Sequence, residues 1–124
     1  MTKINSDAFY NCYNLNKIVT GNGVISIGGS AFSSCYSSSI IIGNSVENIG
    51  NYSFRSNNFT SVTIPSSVRK IDYYAFTECK KLANIILLPT TPPILGSSVF
   101  TSISSNAVIT VPKGSLNAYQ TAEN

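Results

Sequence analysis

A chain of 124 residues is long enough for one domain with a moderate core, and a compact globule would be the default reading. Hydrophobic residues make up 43% of it and charged residues only 10%, so its solvated surface must be built from Ser, Asn, Thr and Gly, a profile that suits an extracellular or surface-displayed β-rich protein. The net charge of +3 is spread along the chain and Arg55 and Arg69 are the only arginines, which argues against a clustered basic face and so against nucleic acid as a partner.

At the N-terminus, Met1 to Asp7 contains no basic segment followed by an apolar run, so no signal peptide is expected. No later stretch approaches the roughly 18 consecutive apolar residues of a membrane span, and no membrane insertion is expected. The first structural signal is Ala8-Phe9, which returns as Ala31-Phe32, Ser53-Phe54, Ala75-Phe76 and, more loosely, Val99-Phe100. These phenylalanines are 23, 22, 22 and 24 residues apart. A fixed period of that size predicts a solenoid, in which each repeat buries its apolar face against its neighbours.

Other columns keep the same beat. Val24, Val46 and Val68 are 22 apart, as are Ile27, Ile49 and Ile71, and as are Ile18, Ile40 and Val62. Each unit therefore reads as a strand, a turn, a second short extended piece of form Val-x-x-Ile, another turn, Ala-Phe and a loop back. Residues two apart on a strand share a face, so Ile18/Thr20, Ile40/Ile42, Val62/Ile64, Ile85/Leu87 and Ile109/Val111 are expected to point inward from one continuous parallel sheet. Asn22-Gly23, Gly43-Asn44-Ser45 and Pro65-Ser66-Ser67 hold equivalent places and predict tight corners, with φ > 0 or local side-chain bonds. Asn22-Gly23 alone would also suit a hairpin, but the repeat favours a corner. Phe9, Phe32, Phe54 and Phe76 are expected to stack as a ladder along the solenoid axis.

The run Ile64-Pro65-Ser66-Ser67-Val68-x-x-Ile71-x-x-x-Ala75-Phe76-x-x-Cys79-x-x-Leu82 closely resembles the leucine-rich repeat of BspA-like bacterial surface proteins. Weaker copies cover residues 4 to 100. The tail, with Thr91-Pro92-Pro93-Ile94-Leu95-Gly96, Val99-Phe100, Ile109-Thr110-Val111-Pro112-Lys113-Gly114-Ser115 and Ala118-Tyr119, looks like a closing unit of such proteins. The resemblance implies a β-rich leucine-rich repeat solenoid, horseshoe-like, of about five right-handed coils and a single domain over 1–124, with repeats in 1–90 and a closing unit and cap in 91–124. It also implies a secreted or surface-displayed, non-enzymatic module that binds macromolecules such as host matrix proteins or glycoproteins. Departures from the pattern are Asn57 in place of Cys, Ser38 in place of Leu, and a first unit that starts mid-repeat.

The two ends read differently. No polar capping segment precedes Ile4, so the first coil is expected to be sticky and open to self-association. Ser115 is placed to N-cap a short helix, Leu116 to Ala122, whose Leu116/Tyr119 face is expected to lie over the last coil.

Little in the sequence points to catalysis. There is no histidine, and the five carboxylates, Asp7, Glu47, Asp72, Glu78 and Glu123, are isolated. Glu47 is expected to form a surface ion pair of small value with Arg69 one coil on. Gly21-x-Gly23 lacks the third glycine of a dinucleotide loop. No cofactor or metal is expected. Cys12, Cys35 and Cys79 fall three residues after the phenylalanine in three units, where side chains run parallel. A structural column is the favoured reading, although neighbouring coils would place Cys12 and Cys35 about 5 Å apart at Cα, within disulfide range, and a metal site is the remaining alternative. The slot suits a small buried hydrophobe, and Asn57 is expected to fill it by hydrogen-bonding a turn. Asn51-Tyr52-Ser53 and Asn58-Phe59-Thr60 match the glycosylation acceptor pattern, Asn58 being the more accessible.

Two surface features suggest a partner. Val19, Ile41, Thr63, Ile86 and Thr110 form an apolar to weakly polar outward row along the sheet, of a kind that soluble monomers seldom leave open. Tyr52 and Tyr74 share a column beside Tyr73, while Tyr10, Tyr13 and Tyr36 gather near the first loops, and tyrosine offers contact area at low entropic cost. Strand propensity and packing within the repeat are the favoured reading of both features. The second reading of the whole chain is a spacer or terminal cap segment of a longer surface solenoid, and a cytoplasmic scaffold is the third.

Overall fold

The computed structural model describes residues 2–121. Its elements follow the repeat: β1 (Lys3–Ile4), β2 (Lys17–Val19), β3 (Ser26–Ile27), β4 (Ser39–Ile41), β5 (Asn48–Ile49), β6 (Ser61–Ile64), β7 (Lys70–Ile71), β8 (Asn84–Leu87), β9 (Ile94–Leu95), β10 (Val108–Thr110) and a helix, α1 (Leu116–Thr121). All strand pairs are parallel and join each strand to the next strand but one. That pairing makes a parallel β-solenoid of about five turns.

The Val-x-x-Ile segments build the longer sheet, β1-β3-β5-β7-β9, with Ile4, Ile27, Ile49, Ile71 and Leu95 in register. Ile27, Ile49 and Ile71 are fully buried, and Val24, Val46 and Val68 beside them are buried too. The other strand column is not one sheet, contrary to expectation. It divides into β2-β4 and β10-β8-β6, and the ladder lapses between β4 and β6. The lapse coincides with a change in what fills the corner before the strand. Leu15 and Leu82 occupy it in the outer units, whereas the second unit places the small, buried Ser37 there, not the exposed Ser38 expected in place of Leu, and the third places Phe59. Ser37 is anchored by its hydroxyl donating to the Leu15 carbonyl, and Phe59 packs edge-on against Phe76 at 6.3 Å. With unequal bulk on the two sides, the strands part, and Ile40 is only half-buried where Ile18, Val62 and Ile85 are sealed.

A third side of the coil consists of turns, and its backbone has a regularity that composition did not reveal. In each unit two non-glycine residues four apart are left-handed, with φ between 56° and 60°: Asp7/Asn11, Ser30/Ser34, Tyr52/Ser56, Tyr74/Glu78 and Ser98/Ser102. Each such residue costs about 1 kcal/mol relative to an ordinary helical or extended one. The geometry is held because the amides of residues 7, 9 and 11, and of their equivalents, donate to carbonyls of the next coil, as in Phe9 to Ala31 and Phe54 to Ala75, both at 2.8 Å. At the corners, where φ > 0 or local side-chain bonds are expected, only Gly21 of the corner glycines is left-handed, and the side-chain bonds run between coils, as from Ser67 Oγ to the Val46 carbonyl at 2.7 Å.

The phenylalanine ladder forms as expected and extends one rung further. Phe9, Phe32, Phe54, Phe76 and Phe100 stack with centroids 5.1, 5.5, 5.2 and 5.5 Å apart. Ala31, Ser53 and Ala75 precede them in buried slots, and Ser53 has a buried hydroxyl with no partner among the described residues.

Asn57 shows why a polar residue fits the cysteine column. The Cys35 thiol donates to the Phe9 carbonyl at 3.1 Å and the Cys79 thiol to the Phe54 carbonyl at 3.1 Å, and Asn57 Nδ2 donates to the intervening Phe32 carbonyl at 3.0 Å. Its Oδ1 additionally accepts the Ser37 amide at 2.9 Å. Replacing Asn57 with alanine strands both groups in the interior and is expected to cost about 2 kcal/mol. Asn57→Cys, which restores the donor but not the acceptor, should lose less; urea denaturation of the two variants orders them, and an equal loss would deny the bond to Phe32.

The last coil differs from expectation. Ile109 keeps the inward register, paired with Ile85, yet is 53% exposed because, among the described residues, no further strand lies on its far side. The helix begins after Ser115, whose carbonyl accepts the Tyr119 amide at 3.1 Å, as an N-cap residue does. Tyr119 packs on the core and its hydroxyl donates to the Pro89 carbonyl, but Leu116 points away at 57% exposure. Only one side chain of the expected pair therefore touches the coil, and Ala122 lies outside the described residues.

Candidate functional site

Strand pairing sets the outward row. Val19 lies opposite Ile41, and Ile86 lies between Thr63 and Thr110. Val19 and Ile41 are 55% and 52% exposed, Thr63 and Thr110 are exposed, and Ile86 is half-buried. A second outward row two residues earlier carries Lys17, Ser39, Ser61, Asn84 and Val108. The face is therefore a shallow apolar strip edged with small polar groups, interrupted at the β4/β6 gap, where a cleft of about 290 Å³ is lined by Ser39, Ile40, Ser61 and Thr63.

The tyrosines form a separate cluster on the turn side. Tyr52 and Tyr74 occupy left-handed positions of adjacent coils, so their rings stack at 5.1 Å, and Tyr73 stands edge-on to both at 5.9 and 6.0 Å. Arg55 lies 5.8 Å over the Tyr52 ring and also meets Glu78 at 2.8 Å. This ion pair joins adjacent coils, and a second, Lys70 with Asp72 at 4.0 Å, lies within one coil. Glu47 and Arg69 instead meet through their backbones, the Arg69 amide donating to the Glu47 carbonyl at 2.8 Å, and no ion pair joins their side chains. The expected pair fails because Glu47 and Arg69 sit at a corner, where the stacked backbones hold the register and leave the side chains free to diverge. Tyr10, Tyr13 and Tyr36 are exposed near the first loops. The structure thus gathers Tyr52, Tyr73 and Tyr74 into one patch and leaves Val19, Ile41, Thr63, Ile86 and Thr110 on another side of the coil.

The three cysteines are free thiols, Cys12 exposed and Cys35 and Cys79 buried. Desolvation pushes the Cys79 thiol up to about 12, so it is an inert core group at neutral pH, and burial raises Cys35 as well. Among the described residues no three His, Cys, Asp or Glu side chains converge as metal ligands. Of the acceptor-pattern residues, Asn51 leads to the buried Ser53, and the Asn58 amide group donates to the Tyr36 carbonyl at 3.2 Å.

Sequence reasoning overlooked one polar cleft, at the corner between the third and fourth coils. Its signal was present in the stretched final interval from Phe76 to Phe100 and in the run Pro89-Thr90-Thr91-Pro92-Pro93.

Comparison with known proteins agrees with this architecture. None of the curated proteins matches the chain. Among solved structures, a leucine rich cell surface protein from Faecalibacterium prausnitzii A2-165 is 32% identical over 67% of this chain, with a TM-score of 0.65. The leucine rich repeat protein of T. pallidum, 17% identical over 90% of the chain, and one from Bacteroides ovatus ATCC 8483, 18% identical over 92%, share the fold with TM-scores of 0.63 and 0.53. The chain spans 22%, 45% and 44% of the lengths of those three proteins, respectively. The BspA type leucine rich repeat region matches residues 2–122 in six copies, and the chain belongs to that family.

Proposed function

We propose that the chain is a non-enzymatic binding module of a bacterial surface or secreted protein, engaging a protein or glycoprotein through the outward row of its strand face. The observation that carries this reading is the exposure of Val19 and Ile41 side by side, 55% and 52%, on a parallel sheet whose neighbouring residues are mostly small and polar. An apolar strip of this kind is costly to leave in water and gains by being covered. The Tyr52, Tyr73 and Tyr74 patch offers a second contact area on another side, stiffened by its own stacking. Surface display is supported by the description of the F. prausnitzii relative as a cell surface protein.

The test is binding of the 124-residue chain to arrayed matrix proteins and glycoproteins, compared with the double variant Ile41→Asp, Ile86→Asp. The expected result is binding that falls at least tenfold in the variant while its circular dichroism is unchanged. Retained binding would move the site to the tyrosine patch, to be checked with Tyr73→Ala. Absence of binding across the array would favour a spacer or terminal cap segment in a longer solenoid.

A further inference from the structure

The corner between the third and fourth coils is built unlike the corners before it. From Ile64 to Ile71 the third coil uses seven positions, and from Leu87 to Leu95 the fourth uses eight, although both ends are held in register by β6/β8 and β7/β9. The extra residue sits in Pro89-Thr90-Thr91-Pro92-Pro93, whose prolines fix the local backbone and lack amides with which to close onto the coil below. The result is a cleft of about 410 Å³ between that loop and Ser66-Ser67-Val68-Arg69.

The cleft brings one cation together with neutral polar groups, and no anionic side chain lines it. Arg69 is exposed and, among the described residues, makes no ion pair, while the other arginine is held by Glu78. The hydroxyls and amides of Ser66, Thr90 and Thr91 have no partners among the described residues, and all three residues are exposed. Two nearby groups are already committed: Ser67 Oγ donates to the Val46 carbonyl at 2.7 Å, and the Pro89 carbonyl accepts the Tyr119 hydroxyl. What remains on the residues that share the cleft with Arg69 is a set of unpaired hydroxyls, amides and carbonyls, so the guanidinium is the one formal charge among them and no carboxylate lines the space. A guanidinium forms its strongest hydrogen bonds with an oxyanion, and hydroxyl and amide donors add directional contacts.

We infer that this cleft is a binding site for a single oxyanionic group, a sulfate, phosphate or carboxylate, with Arg69 as its charge partner and Ser66, Thr90 and Thr91 as its neutral donors. The site lies off the strand-face row and is independent of binding there. It is tested by titrating the ¹⁵N-labelled chain with sodium sulfate, sodium phosphate and sodium acetate in turn at constant ionic strength, following the amides of Ser66, Thr90 and Thr91. The expected result is saturable shifts at these amides with at least one anion, and about tenfold weaker affinity in Arg69→Gln, but not in Lys113→Gln. Preference for sulfate or phosphate over acetate would mark a tetrahedral group as the natural ligand, and the reverse a carboxylate. Shifts that do not saturate with any of the three, or that are unchanged in Arg69→Gln, or that weaken equally in Lys113→Gln, would overturn the assignment. Retention of the wild-type amide spectrum outside the cleft shows that each variant is folded.

Discussion

Phe54→Ala is expected to destabilise the chain by about 3 to 5 kcal/mol, the range for deleting a sealed aromatic ring. Phe54 is fully buried, and its ring is sandwiched between Phe32 at 5.5 Å and Phe76 at 5.2 Å, nearly parallel to both. No flexible side chain lies above or below to collapse into the space, because the adjacent rungs are rings fixed by the same repeat. The backbone at this position would survive, since its amide donates to the Ala75 carbonyl whatever the side chain. The loss is therefore one of packing. Phe9, 43% exposed and stacked on one face only, should cost less than half as much when truncated. Urea unfolding checks the pair: a midpoint for Phe54→Ala equal to that of the parent chain would contradict the ladder. A solenoid is stabilised between nearest neighbours, so weakening its middle coil should also lower the apparent m-value as the two halves begin to unfold separately.

Most of this fold was legible because a repeat reports the same position several times. The columns at Val24/Val46/Val68 and Ile27/Ile49/Ile71 are all buried, and the Phe ladder stands where the 22-residue beat placed it. What escaped notice has no repeated side-chain signature. The two left-handed positions per unit are occupied by Asp, Asn, Ser, Tyr and Glu, so nothing in residue type marks them; hydrogen bonding between coils imposes the conformation. The divided sheet arises from a difference in bulk between Ser37 and Phe59, which becomes visible only when both are placed at one corner. Ile109 and Leu116 were misjudged for a related reason: inward register buries a side chain only where another element covers it. At the candidate site the outward row followed from alternation alone. The polar cleft required knowing that a one-residue excess is absorbed between two fixed registers.

The second large effect is expected at Gly50, where alanine should cost about 3 kcal/mol, the upper part of the range for overpacking. Asn5, Gly28, Gly50, Asp72 and Gly96 form the column that follows the buried Ile4, Ile27, Ile49 and Ile71 and the half-buried Leu95, and at its glycines successive coils touch backbone to backbone. A Cβ on Gly50 would lie 2.7 Å from the carbonyl oxygen of Ile27, the carbonyl carbon of Gly28 and the amide nitrogen of Gly29. None of these is the end of a flexible side chain, so relief requires moving one coil away from the next. Asp72 carries a side chain at the equivalent place; its own amide keeps its 2.9 Å bond to the Ile49 carbonyl, as Gly50 does to Ile27, and the difference falls in the turn that follows. The inter-coil bonds next to it, Tyr52 to Tyr73 and Tyr74 to Ser97, are 3.2 and 3.1 Å long, against 2.9 and 2.8 Å for the equivalent Asp7 to Gly29 and Ser30 to Asn51. Gly50→Ala should therefore lengthen the bond from Ser30 to Asn51 and raise amide exchange at Ser30 and Gly50 before it unfolds the chain. Thermal denaturation together with hydrogen exchange tests this. Unchanged stability would mean that the coils are not in backbone contact at this column, whereas a loss without local exchange at Ser30 would place the strain elsewhere in the stack.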